Sequence, residues 1–207
     1  MKKHASLIGL LAIGAALLST SCASQPEVPM EQRLIVAIPD LEGAPEAGNG
    51  SWEETLVTAL LGTRRFRVIE RSRLDTLLDE NELSMSALAD PGANPKILGL
   101  IGADAVLLVR VGETREYSGL THDQVTGWWS DVSLGVEVPV SARLVSTATG
   151  EVLVAASASG QAESGTFSGA LGTSVVDKPR NALVADALND ALTSLAYQLG
   201  RQTPVKP

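Results

Sequence analysis

A single cysteine, Cys22, excludes any intramolecular disulfide. Histidine is almost as scarce: His4 lies in the leader-like N-terminus, so His122 alone would have to serve a Ser-His-Asp triad or a zinc site, which wants several His or Cys ligands. His122 sits in a polar loop and reads as a solvated surface residue. Aromatic residues make up only 3% of the chain, so alanine, valine and leucine must build the core. Positive charge is short, with 16 basic residues against 24 acidic ones and a net charge of -8. That balance excludes a nucleic-acid footprint and gives no polybasic patch for anionic lipid. No Gly-x-x-x-x-Gly-Lys-Ser/Thr occurs, and no Gly-x-Gly-x-x-Gly follows a strand pattern. The glycines at Gly165, Gly169 and Gly172 have no following lysine to complete a phosphate cradle. No cofactor, metal or enzymatic centre is expected. Asp79, Glu80 and Glu82 gather on one predicted helix, where a solvated face is the plain reading beside a general acid–base pair.

What is present begins with a processing signal. Lys2 and Lys3 precede an apolar run over residues 7–18, too short to span a bilayer as a mature helix. Leu18-Ser19-Thr20-Ser21-Cys22 follows, and it resembles a bacterial lipobox, with Ser19 where leucine is usual. The resemblance implies a lipidated Cys22 as the mature N-terminus. The alternative is ordinary cleavage near Ala23 with an unmodified thiol. Residue 23 is Ala and not Asp, which by resemblance to lipoprotein sorting favours the outer membrane. Three acyl chains, palmitate among them, bury far more apolar surface than the single chain that binds only marginally. Loss of the signal leaves 14 basic against 24 acidic residues, a net charge of -10.

The segments divide as signal peptide 1–21, lipidated N-terminus and tether 22–32, a single α/β domain 33–202 and a tail 203–207. Within the domain, residues 33–38 are a continuous apolar run suited to a strand covered on both faces. Residues 40–50 are rich in Gly, Pro and Glu and read as a loop. Ser51 and Glu54 form a capping box, and Trp52, Leu56, Ala59 and Leu60 share one helical stripe that Gly62 ends. Phe66, Val68 and Ile69 make a short strand that turns straight into a helix, with Ser72 as N-cap and Leu74, Leu77 and Leu78 on its inner face. Arg71 and Glu80 are polar groups of this unit without an assigned role. Asn94 and Pro95 open a further short helix that Gly102 stops. Residues 105–111 are a second buried strand; residues 138–144 and 151–158 form a hairpin about Thr147-Ala148-Thr149-Gly150. Val184, Leu188, Leu192, Leu195 and Leu199 mark a long helix ended by Gly200. The order β-α-β-α-α-β-β-β-α predicts a mixed sheet with helices packed on it.

Four of these segments, Leu-Ile-Val-Ala-Ile-Pro, Phe-Arg-Val-Ile-Glu-Arg-Ser-Arg-Leu, Leu-Ile-Gly-Ala-Asp-Ala-Val-Leu and Ala-Arg-Leu-Val-Ser-Thr-Ala-Thr-Gly-Glu-Val-Leu, stand in order after the lipobox. Together they resemble the curli secretion channel (CsgG-type) lipoprotein family. The resemblance implies a periplasmic domain tethered to the outer membrane, a homo-oligomeric ring, and an exported cargo or envelope protein as partner. In channel members each subunit adds hairpins to a transmembrane barrel. Here the two stretches that would supply them, 112–135 and 159–177, depart from a barrel strand of about 9–11 residues with an apolar lipid face. The first carries Glu113, Arg115, Glu116, His122, Asp123 and Asp131; the second is rich in small residues with Phe167 as its one aromatic. The expectation is a divergent member with shortened or absent hairpins, acting as a scaffold or export accessory. The alternative is a lipoprotein that regulates a peptidoglycan synthase. Trp128 and Trp129 are adjacent, so on a strand at most one enters the core, and the other is a candidate subunit or membrane interface.

Overall fold

The computed structural model describes residues 28–39, 41–43, 51–80, 102–122, 127–169 and 172–205. Cys22 and the helix expected from Asn94 lie outside the described residues. The elements run β1 (Leu34–Ala37), β2 (Leu41–Glu42), α1 (Ser51–Gly62), β3 (Phe66–Val68), α2 (Arg71–Glu80), β4 (Ala105–Val111), β5 (Arg115–His122), β6 (Trp129–Ser146), β7 (Val152–Gly169), β8 (Gly172–Val176) and α3 (Arg180–Gln202). A 3-10 turn, Met30–Gln32, leads into β1.

Among the described residues eight strands form one mixed sheet: six follow the order β3-β1-β4-β6-β7-β8, while β2 pairs with β4 and β5 with β6. β1 pairs in parallel with β3 and β4, and β4 turns the sheet antiparallel by pairing with β6. β6 is long enough to hold two partners end to end on one edge: β4 along residues 140–146, then β5 along residues 129–137. β7 follows β6 over nearly its whole length, and β8 pairs only with its far end. The sheet therefore has two parts. One is a helix-covered body; the other is a four-stranded arm, β5-β6-β7-β8, that continues past the body.

Among the described residues the expected elements appear, with β2, β5 and β8 in addition and with changes at element ends that have physical causes. The loop expected over 40–50 contains β2, whose Leu41 is buried and pairs with Val109. Ser72 is not the N-cap of α2: the helix starts one residue earlier, and the Leu74 N–H donates to the Glu70 carbonyl at 2.9 Å. β3 ends at Val68, but the Ile69 N–H still donates to the Val36 carbonyl at 3.0 Å. The chain reverses after α1 through Arg64, a non-glycine residue at φ 56°. Gly150 (φ 74°) makes the β6–β7 turn as expected. Gly200 does not end α3, which runs on to Gln202 and is closed by Thr203 bonding to the Leu199 carbonyl. The missing side chain at Gly200 serves packing instead: a Cβ there would lie 2.7 Å from Thr63 Cβ.

The core lies between the sheet and helices α1 and α3, which also pack on each other. Leu188, Leu192, Leu195 and Leu199 are buried with Leu183, Val184, Ala187, Ala191 and Ala196, so one broad face of α3 is apolar as the spacing predicts. Ala187 and Ala191 face Gly160 of β7, where the helix backbone comes within touching distance of the strand. Leu56, Leu60 and Phe66 fill the space beside it, with Trp52 and Ala59 packed at the margin. Asp104, from the Gly-Ala-Asp segment, ties three elements together. Its carboxylate accepts from the Ile35 N–H at 2.9 Å, its N–H donates to the Ile35 carbonyl at 2.8 Å, and its carbonyl accepts from the Thr147 N–H at 3.0 Å. The Thr147 hydroxyl donates to the Ala103 carbonyl at 2.6 Å, so the β6–β7 turn is pinned to the start of β4.

Candidate interaction surface

The arm is built from the two stretches that the sequence sets apart as hairpin candidates, and both form hairpins. Their outer strands, β5 with eight residues and β8 with five, fall short of the 9–11 residues of a barrel strand. His122 belongs to β5 and pairs with Trp129, so it is a strand residue and not a loop one.

Cross-strand registers set the faces, because paired residues share a face and neighbours along a strand alternate. Leu120, Asp131, Thr166 and Val175 form one row across all four strands. Two residues further out, His122, Trp129, Ser168 and Thr173 form the next row on that same face. Thr121, Ser130, Phe167 and Ser174 lie between them on the opposite face. A bulge at Ser133 shifts the β6 register between Val132 and Leu134, and the Ser133 hydroxyl donates to the Ser164 carbonyl at 2.9 Å. Gly165 faces this bulge, and a Cβ there would lie 2.1 Å from the Asp131 carbonyl oxygen.

Trp128 and Trp129 point to opposite sides, as alternation requires, and neither enters the core: they are 49% and 40% exposed. Trp128 covers Gly169, where a Cβ would meet its ring at 2.4 Å; Trp129 shares a face with Leu120 and Val175, which are 73% and 72% exposed. A second ring-over-glycine pair lies at the arm's root. Tyr117 lies across Gly135, and its hydroxyl donates to Glu163 at 2.8 Å.

Ionic contacts cluster at the root of the arm. Arg180, the first residue of α3, pairs with Glu116 of β5. Lys178 reaches Asp186 at 2.6 Å, and Arg115 approaches Glu137 at 3.8 Å. Such exposed pairs contribute little individually, so they fix direction more than stability. Ser164 is buried, donates to the Val176 carbonyl at 2.9 Å and accepts from the Lys178 N–H at 3.2 Å, which anchors the strand leaving β8. Ser168 and Thr173 share a hydrogen bond nearer the tip.

Partial burial, the hydrogen bond to Glu163, and the nearby charges of Glu163 and Glu137 push the Tyr117 hydroxyl up to about 12 from its ordinary 10.0. A raised value means that the folded arm holds this proton more tightly than the unfolded chain. The stabilisation is complete below pH 10 and is lost as the pH rises from about 10 to about 12. In a Tyr197→Phe background, phenolate absorbance will show a late transition for Tyr117, and Glu163→Gln will bring it down toward the ordinary value. An ordinary midpoint in the parent would refute the Tyr117–Glu163 contact.

No three His, Cys, Asp or Glu side chains converge on a common point among the described residues. No helix among them is long and apolar enough to cross a membrane, which says nothing of strands. The one acidic residue of the expected α2 cluster whose side chain is described, Asp79, is exposed. A concavity lined by Glu42, Arg110, Arg143, Ser141 and Ser157 of the sheet and by Gln198 and Gln202 of α3 holds no nucleophile–base pair.

A mixed sheet with helices packed on it is the architecture that the sequence order implies; the two hairpins that continue it into an arm are seen in the structure. The family described as curli production assembly/transport component CsgG matches residues 44–205, and the chain belongs to that family. The family's description is that of an assembly and transport component, and no enzyme family is indicated. No curated protein matches the sequence. Among solved structures, lipoprotein GNA1162 from Neisseria meningitidis is 24% identical, covering 64% of this chain and 84% of its own, with a TM-score of 0.43. The LpoB C-terminal domain from Salmonella enterica is 15% identical, covering 61% and 81%, with a TM-score of 0.41. The PelC dodecamer from Paraburkholderia phytofirmans is 15% identical, covering 86% and 94%, with a TM-score of 0.39.

Proposed function

We infer that this chain is a non-enzymatic lipoprotein, held at the outer membrane by acyl chains on Cys22 and facing the periplasm, where it assembles into a homo-oligomer that serves as a scaffold or accessory in the export or assembly of an envelope or surface protein. The arm is the observation that carries this reading. It is a four-stranded sheet bounded by β5 and β8, and among the described residues neither has a further strand on its outer side. Unpaired strand edges are templates for another chain. The arm also exposes Leu120, Trp128, Trp129 and Val175, apolar residues of the kind concentrated at interfaces. Family membership supplies the context of assembly and transport. The leader, with its cysteine after small residues, supplies the anchor.

Mass photometry of the lipidated protein in detergent tests the assembly. The parent will give one defined oligomer, and Trp128→Ala/Trp129→Ala will shift it toward monomer by at least about tenfold in dissociation constant, the equivalent of one interface side chain worth over about 1 kcal/mol. A strictly monomeric parent would sink the reading.

A further inference from the structure

The sheet has another open edge at β3, at the opposite end of the strand order from β8. Among the described residues β3 pairs only with β1. The Arg65 carbonyl accepts from the Leu34 N–H and the Ile69 N–H donates to the Val36 carbonyl, so both groups turn toward β1. Backbone groups alternate in direction along a strand, which leaves Phe66 and Val68 presenting theirs to the outer side. An edge of this kind accepts a further strand. Beside it a groove of about 400 Å³ runs between β3 and α1, within the size range of sites that take a ligand or a partner's side chains. Its place follows from how α1 is turned. Leu56 and Leu60 enter the core, and the Thr55 hydroxyl donates to Asn189 of α3 at 3.0 Å. The stripe Glu53, Val57, Leu61 is thereby left on the side away from α3.

The groove has an apolar part and an acidic end. Val57 and Leu61 line it with Ile38, Val68 and Ile69. Ile38 is buried, Val57, Val68 and Ile69 are half-buried, and Leu61 is 46% exposed. The turn after α1 sends β3 back along the helix, so Glu53 and Glu54 at the start of α1 come to the same end as Glu70, just past β3. Among the described residues none of these three carboxylates has an ion-pair partner, and no basic side chain lines the groove. The arginines nearby are placed elsewhere. Arg67 lies on the face of β3 opposite Val68, Arg64 and Arg65 follow the far end of α1 and have partners of their own, and Arg73 is exposed on α2. Three like charges at one end favour a cation between them. Along α1 the carboxylates precede Val57 by three and four residues, about 5–6 Å, close to the roughly 6.6 Å between alternate residues of a strand.

We propose that this groove binds an extended segment of a partner protein, added as a strand to the outer edge of β3, with an apolar side chain on Val57, Leu61 and Val68 and a lysine or arginine two residues away among Glu53, Glu54 and Glu70. A second copy of this acidic chain, at net charge -8, suits such an end poorly. The site stands apart from the arm and depends neither on it nor on lipidation. The probe is a dye-labelled, end-capped peptide Thr-Lys-Thr-Leu-Thr-Lys-Thr, which reads the same in either strand direction, titrated by fluorescence anisotropy with the full-length protein in nonionic detergent at about 0.1 M salt. The parent will bind it saturably, with a Kd below about 1 mM. Glu53→Gln/Glu54→Gln/Glu70→Gln will weaken binding by about tenfold or more, while Glu113→Gln/Glu151→Gln/Asp190→Asn, an equal loss of charge elsewhere on the surface, will change it by less than about twofold. Glutamate in place of the peptide's lysines, or methylation of all its backbone nitrogens, will abolish binding on the unaltered protein, so the test stands even where a variant folds poorly. Absence of saturable binding overturns the proposal, as do equal losses in the two triple variants, which would mean attraction to the acidic chain at large. Undiminished binding of the N-methylated peptide overturns the added strand. A groove filled by a second copy would give no peptide binding and a changed oligomer in the Glu53→Gln/Glu54→Gln/Glu70→Gln variant, which overturns it too.

Discussion

Valine at Gly160 will lower the stability of the body by about 3 kcal/mol or more, at the upper end of what overpacking costs. The reason is the identity of the neighbours. A Cβ at Gly160 would lie 2.0 Å from the Ala187 carbonyl oxygen and 2.5 Å from the Ala191 nitrogen, both backbone atoms of α3. A flexible side chain can rotate aside, but a helix backbone can retreat only as a unit. Retreat would open the seam where Ala187 and Ala191, both fully buried, meet β7. For a domain of this size the loss corresponds to roughly 6–12 °C in melting temperature. Even alanine will be costly here, whereas Ser159→Ala, one residue earlier and exposed, will leave the melt unchanged. Circular dichroism melts of the three variants test this. An unshifted melt for Gly160→Ala would mean that α3 does not cross β7 at this point.

Phe66→Ala will be comparably damaging for the opposite reason, a void in place of a clash. Phe66 is 1% exposed and sits in β3, a three-residue edge strand whose place depends on this one ring. Removing a buried phenylalanine costs about 3–5 kcal/mol. The damage will be uneven. The Leu34 N–H donates to the Arg65 carbonyl at 3.1 Å and the Ile69 N–H to the Val36 carbonyl at 3.0 Å, and both bonds hold β3 against β1. Hydrogen exchange will show these two amides losing protection before those of α3. Equal loss across the sheet would argue against a locally detachable edge.

The body was legible because its burial is one-sided and periodic. Leu188, Leu192, Leu195 and Leu199 fall on one stripe, and a helix with one buried face writes its period directly into the sequence. β1 and β4 are continuous apolar runs for the complementary reason, being interior strands of the parallel part. The arm was much harder to read. β7 beyond Ala158 consists largely of Ser, Gly, Ala and Thr, and its strand form comes from pairing along β6 and not from side-chain preference. The bulge at Ser133 breaks the alternation of β6 in mid-strand, so the start of that strand is displaced from the visible pattern at Val138 to Trp129. Charges on both faces of β5 reflect a strand with solvent on each side. The tryptophan pair was visible as a candidate, and alternation gave its opposed directions. What no pattern could give is that glycines lie beneath Trp128 and Tyr117, since those contacts join strands distant in sequence.

The unbroken passage of β6 and β7 from body to arm also restricts how this protein can change. No loop lies between the two parts where residues might be added or lost singly. Deleting one residue from either strand would turn every outboard side chain over, exchanging the Leu120–Val175 row with the Phe167 side. A workable change must remove or add matched pairs on both strands, with β5 and β8 following. The span from body to tip is thus graduated in steps of roughly 6.6 Å, two residues of strand. Across descendants of this chain, arm lengths should differ by whole steps of that ladder, with half-steps found only where a bulge such as the one at Ser133 restores the phase.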